Sequence, residues 1–187
     1  MGDSKFGKWV GGTLGWAVGG PIGALVGFSL GYLWDNATLD GNVTTGEFAS
    51  KGSRATYQGD FAVSLLVLAS AMMKADDRVL KSELNYVKQF LRNQFGEEKS
   101  AELLRVIRDL LQRDIAIAPV CIQIKQHMSV AQRLQLMHFL IGIANVDGEI
   151  HPSEWNLAKS ISGYLGISHK DLESLSAMYQ VDKDRYY

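Results

Sequence analysis

The sequence predicts an all-α protein, a glycine-zipper transmembrane segment followed by a bundle of about seven helices. Three observations predict this. Between Trp9 and Trp34 no side chain is charged, and Lys8 and Asp35 bound the run. From Phe61 onward apolar residues recur at helical spacing, with no alternating stretch long enough for a strand. Within that part an apolar helix, an acidic turn and an amphipathic helix occur twice, at an offset of 71 residues.

The N-terminal element is defined by its glycines. Gly11, Gly15, Gly19, Gly23, Gly27 and Gly31 recur every four residues, which puts them on one face of a helix. In water each interior glycine would cost about 0.5–1 kcal/mol relative to alanine. In a bilayer the same face lets a second helix approach closely. The 26 uncharged residues exceed the roughly 20 that a span requires, and Trp9, Trp16, Tyr32 and Trp34 lie where interfacial aromatics belong. The run is longer than the apolar region of a secretory signal, and no clear cleavage site follows it. Gly19-Gly20-Pro21 leaves three forms open: one kinked span, a re-entrant hairpin, or a glycine helix covered by a partner. An intact span is expected to form a homodimer through the ladder. Lys5 and Lys8 on one side, against Lys51 and Arg54 among Asp35, Asp40 and Glu47 on the other, do not fix its orientation.

Residues 36–59 read as a flexible polar tether. The sequons at Asn36 and Asn42 read as chance matches within it. The resulting division is an anchor over 1–35, the tether, a helical domain over 60–180, and a tail over 181–187. The predicted helices cover 60–74, 81–95, 98–113, 119–126, 129–145, 153–165 and 169–180. Residues 60–74 and 134–144 are apolar nearly all round yet too short to span a bilayer, so they form the bundle centre, with Met72, Met73 and Met137 as core filling.

Composition narrows the function. A formal net charge of −1 lacks the basic excess of a nucleic-acid binder. Cys121 is the only cysteine, so no intramolecular disulfide forms, and a lone thiol reads as a small core residue. His138 reads as a core histidine. No nucleophile–base arrangement, zinc spacing or phosphate loop is present, which argues against an enzyme.

The two acidic turns are the candidate site. Asp76, Val79, Ser82 and Glu83 in the first correspond to Asp147, Ile150, Ser153 and Glu154 in the second. The spacing of Asp147, Gly148, Ile150 and Glu154 equals the second half of an EF-hand loop, while Asp77 stands in the glycine place of the first turn. The leading carboxylate positions hold Met72 and Ile143, so neither turn alone offers enough oxygens. Two readings follow. Asp76, Glu83, Asp147 and Glu154 pool around one divalent cation, calcium or magnesium, with His151 able to join. Alternatively the turns only cap helices, with Ser82 or Ser153 as N-cap and Pro152 tolerated near the start.

Several stretches together resemble a known family: Lys8-Trp9-Val10-Gly11, Gly19-Gly20-Pro21-Ile22-Gly23, Gly31-Tyr32-Leu33-Trp34-Asp35, Lys74 to Glu83, Asp147-Gly148-Glu149-Ile150-His151-Pro152-Ser153-Glu154, and Leu165-Gly166-Ile167-Ser168. The chain is similar to DjlA-type membrane-anchored DnaJ-like co-chaperones, whose middle domain resembles the tellurite-resistance TerB fold. The resemblance implies a single-pass inner-membrane protein with its helical domain in the bacterial cytoplasm. It also implies a DnaK-type chaperone partner through a C-terminal J-domain with a His-Pro-Asp motif. Here Ser153 follows the only His-Pro, and Asp182 to Tyr187 resembles the opening of a J-domain. The expectation is therefore a non-catalytic accessory module of such a co-chaperone. A metal- or stress-sensing module, or an oligomerising membrane adaptor, is the alternative.

Overall fold

The structure is a computed structural model that describes Ile22 and residues 53–184. All six glycines of the ladder, most of the tether and residues 185–187 lie outside the described residues. Among those described, seven helices and no strand are present: α1 (Ser53–Met73), α2 (Lys81–Phe95), α3 (Glu97–Leu110), α4 (Ile117–His127), α5 (Val130–Ala144), α6 (Pro152–Leu165) and α7 (His169–Asp184). The predicted helices match these to within a few residues except at the start of α1. That helix begins at Ser53, inside the stretch read as a tether. Gly59 is its single interior breaker, and one glycine costs only about 1 kcal/mol, which a continuing helix absorbs.

As predicted, α1 and α5 form the centre. Leu65, Val67, Leu68, Ala69, Met72 and Met73 of α1, and Leu136, Met137, Leu140, Ile141 and Ile143 of α5, have no exposed surface. Packing on most sides is why their apolar stretches lack the usual wide polar stripe. Helix α1 also packs against α3, α4 and α6, and α5 against α2, α6 and α7. Helices α2 and α3 are amphipathic and cover one flank; α4 and α6 pack together on another. Cys121 on α4 is fully buried, and that burial pushes its thiol pKa up to about 12, so it is an inert core group. Ile22 joins the same core, and its N–H donates to Gln123 Oε1 at 3.0 Å.

The repeat is visible in the backbone. Met73 and Ala144 end the central helices, and Lys81 and Pro152 start the following ones, each pair 71 residues apart. The turn bonds obey the same offset. Ala75 N–H donates to Met72 O as Val146 N–H does to Ile143 O, and Asp77 N–H to Lys74 O as Gly148 N–H does to Asn145 O. Asp77 has φ 61° and Gly148 φ 94°. The turn requires a left-handed residue here, and aspartate is among the few side chains that tolerate one.

His138 departs from the expectation of a core residue. It lies on the solvent side of α5 and is exposed, because the buried stripe passes through Met137, Phe139 and Leu140 instead. The Tyr179 hydroxyl of α7 reaches back to it, donating to His138 O at 2.9 Å, with the two rings 5.1 Å apart. Burial and the neighbouring Tyr86 hydroxyl raise the Tyr179 pKa, which keeps the phenol protonated as a donor.

Candidate functional site

The four carboxylates singled out from sequence converge. Asp76, Glu83, Asp147 and Glu154 line a single cavity of ≈ 270 Å³ between the two turns, together with Glu149, His151 and the apolar groups of Leu80, Ile143 and Ile150. Helices α1 and α5 deliver the two aspartates just past their C-termini. Helices α2 and α6 deliver the two glutamates in their first turns, so the pseudo-twofold of the bundle brings four chain segments to one junction.

The helix starts differ from expectation. The N-cap residues are Leu80 and His151, not Ser82 or Ser153, and Pro152 occupies the first helical position, where it has no N–H to leave unpaired. Leu80 has no side-chain acceptor. The capping bond comes instead from the third helical residue reaching back: Leu80 N–H donates to Glu83 Oε2 at 2.9 Å. The second start repeats this, His151 N–H donating to Glu154 Oε2 at 2.9 Å. His151 adds its own ring, which accepts from Ser153 N–H at 3.4 Å. The serines are asymmetric. Ser82 Oγ crosses the junction to donate to Asp147 Oδ2 at 3.0 Å, whereas Ser153 Oγ pairs with His151 Nδ1 at 2.6 Å. Asp76 Oδ1 closes its own turn by accepting from Arg78 N–H at 3.0 Å.

Glu83 is only 3% and Glu154 5% exposed, although glutamates in a first helical turn ordinarily face water. The two carboxyl groups line the same cavity. Desolvation raises the pKa of both, that of Glu83 to about 8. A contact between two buried carboxyls requires a proton, since two carboxylates offer only acceptors.

These commitments bear on the cation reading. Calcium takes six to eight oxygen ligands. Here one oxygen of each glutamate already serves a helix N-terminus, and Asp76 and Asp147 each accept a hydrogen bond. Among the described residues no three acidic, histidine or cysteine side chains are placed to hold a metal ion.

The described residues form a seven-helix bundle of two acidic-turn halves, and a glycine-rich apolar segment precedes it in the sequence. Comparison with known proteins agrees. Residues 62–177 match the family model described as tellurite resistance protein TerB, and residues 4–53 match that of the co-chaperone DjlA transmembrane domain. The chain belongs to the TerB family. Similar curated relatives are the co-chaperone proteins DjlA of Vibrio parahaemolyticus, 32% identical over 90% of this chain and 61% of the relative, and of Vibrio cholerae, 29% identical over the same shares. That of Vibrio vulnificus is 30% identical over 69% of this chain and 46% of its own length. The chain thus spans at most about three fifths of the curated relatives it matches. No solved structure matches it. Among the described residues no helix is long and apolar enough to cross a membrane; the segment matching the transmembrane family lies almost wholly outside them.

Proposed function

We propose that these residues form the membrane-anchoring and accessory part of a DnaJ-like co-chaperone. They hold it at the bacterial inner membrane with the helical bundle in the cytoplasm, where it recruits a DnaK-type chaperone. The carrying observation is collinearity: a transmembrane-family segment at 4–53 leads directly into a TerB bundle at 62–177, and relatives bearing the co-chaperone name align across most of the chain. Physical placement supports the reading. Helix α1 starts where the anchor match ends, and its 21 residues, at about 1.5 Å each, carry the acidic junction roughly 30 Å from that point. The bundle is non-catalytic in this reading and acts by position.

The test uses the native gene product beside these 187 residues, both in nanodiscs. The gene product is expected to accelerate ATP hydrolysis by a DnaK-type chaperone, and the 187 residues to leave it unchanged. Removing residues 4–53 should shift the gene product from the membrane fraction to the soluble one. No acceleration by the gene product would sink the co-chaperone reading and favour an adaptor.

The anchor carries its own proposal, self-association through the ladder from Gly11 to Gly31. Gly15→Leu with Gly23→Leu is expected to reduce the signal of a membrane dimerisation assay about tenfold or more, since leucine prevents close backbone approach. An unchanged signal would remove the packing role.

A further inference from the structure

We propose that Glu83 and Glu154 form a one-proton latch between the two halves of the bundle, closed while the pair holds its proton and strained once both carboxyls are ionised. This inference is independent of the co-chaperone reading, because it concerns only the junction.

The geometry carries it. Both side chains are more than nine-tenths buried. Each is pinned by its own helix start, through Leu80 N–H and His151 N–H at 2.9 Å, so neither can swing out to water without undoing a cap. The pinned carboxyls both line the one cavity between the two turns. The groups facing them are Asp76 from the first turn and Asp147, Glu149 and His151 from the second; Ile143 and Ala144 of α5 complete the wall. Three of those four titratable neighbours are acidic, so their field also favours keeping the proton. The high pKa of Glu83 agrees with this arrangement and extends its range to near neutrality.

The sign of the effect follows. In the unfolded chain both glutamates ionise near pH 4.3. The folded chain keeps one proton until about pH 8, so it binds one more proton than the unfolded chain across the window between. The stabilisation is fully present at the acid end of that window and is lost as pH rises through it. Alkalinisation therefore loosens the junction, unlike the usual salt-bridged carboxylate, which acid loosens.

The test measures urea unfolding of the full chain in nanodiscs between pH 5.5 and 8.5. The unfolding equilibrium constant of the wild type is expected to rise close to tenfold per pH unit between about 5.5 and 7.5. Glu83→Gln keeps the acceptor for Leu80 N–H and supplies a permanent N–H donor to Glu154. It should reduce the slope to less than about twofold per unit, while Asp76→Asn on the rim leaves it near wild type. Infrared difference spectra at pH 7 should show a protonated carboxyl band in the wild type that Glu83→Gln removes. A flat wild-type profile, equal slopes in wild type and Glu83→Gln, or no such band would overturn the latch. So would saturable stabilisation by Ca²⁺ or Mg²⁺ that Glu83→Gln abolishes, since the carboxyls would then be ion ligands. Should Glu83→Gln fail to fold, the wild-type infrared band and Glu154→Gln decide.

Discussion

Gly142→Val is expected to cost about 3 kcal/mol of folding stability and to free α7 from the bundle. Gly142 lies in the last turns of α5, where α2 and α7 cross it. A Cβ built there would collide with the Tyr86 hydroxyl and lie 2.7 Å from that of Tyr179 and 2.9 Å from Tyr86 Cζ. Both phenol ends thus rest on bare backbone, and any side chain evicts them. Tyr179 then loses its hydrogen bond to His138 O and its contact with the imidazole ring, the polar ties of α7 to α5. Alanine is the informative control. It meets the same atoms but gains about 1 kcal/mol of helix propensity, so Gly142→Ala should cost about half as much. Urea denaturation reads the loss, and hydrogen exchange should show the α7 amides exchanging faster than those of α1. Stability within about 0.5 kcal/mol of wild type would mean that the tyrosines move aside freely and the clasp is not a packing constraint.

The glycine exposes a limit of reading sequence. Gly142 stands inside Phe139-Leu140-Ile141-Gly142-Ile143, where periodicity shows only a buried helix. Its cause lies in two tyrosines, 56 residues upstream and 37 downstream, and such distant partners leave no local signal. His138 misled for the same reason. Its neighbours are apolar, but the position points outward, where Tyr179 gives it a partner. By contrast, the central helices were legible because the stretches 60–74 and 134–144 are apolar nearly all round and too short to span a bilayer, so they have nowhere to go but the interior. The two halves were legible because turn chemistry repeats: Asp, β-branched residue, Ser and Glu recur with the register that the backbone keeps. That register also brought the four acidic positions to one cavity. What it concealed was the capping arrangement. Consensus assigns an N-cap to serine, whereas here a leucine and a histidine hold those places and glutamates bond backward. It also concealed burial, since nothing in Lys81-Ser82-Glu83 marks that glutamate as withdrawn from water.

The glutamates give the second large effect, and its sign depends on pH. Glu83→Ala and Glu154→Ala each remove a capping acceptor and buried methylenes, so each should cost about 2 kcal/mol near pH 6. At that pH the pair also loses its shared proton in either single variant. The double variant loses that interaction only once, so it should cost less than the sum of the two by about 1 kcal/mol. Above pH 8.5 the logic inverts. Both carboxyls are then ionised in the wild type, and removing either relieves a repulsion between buried charges. Each single variant should cost less than at pH 6, and the double more than the sum. A coupling energy that crosses zero between pH 6 and 8.5 is the expected signature of two carboxyls sharing a proton. Two independent helix caps would show no coupling at either pH, and an ion site would show favourable coupling that strengthens as the carboxylates ionise. Chemical denaturation of the four proteins at two pH values separates the three cases, because each assigns a different sign to one number.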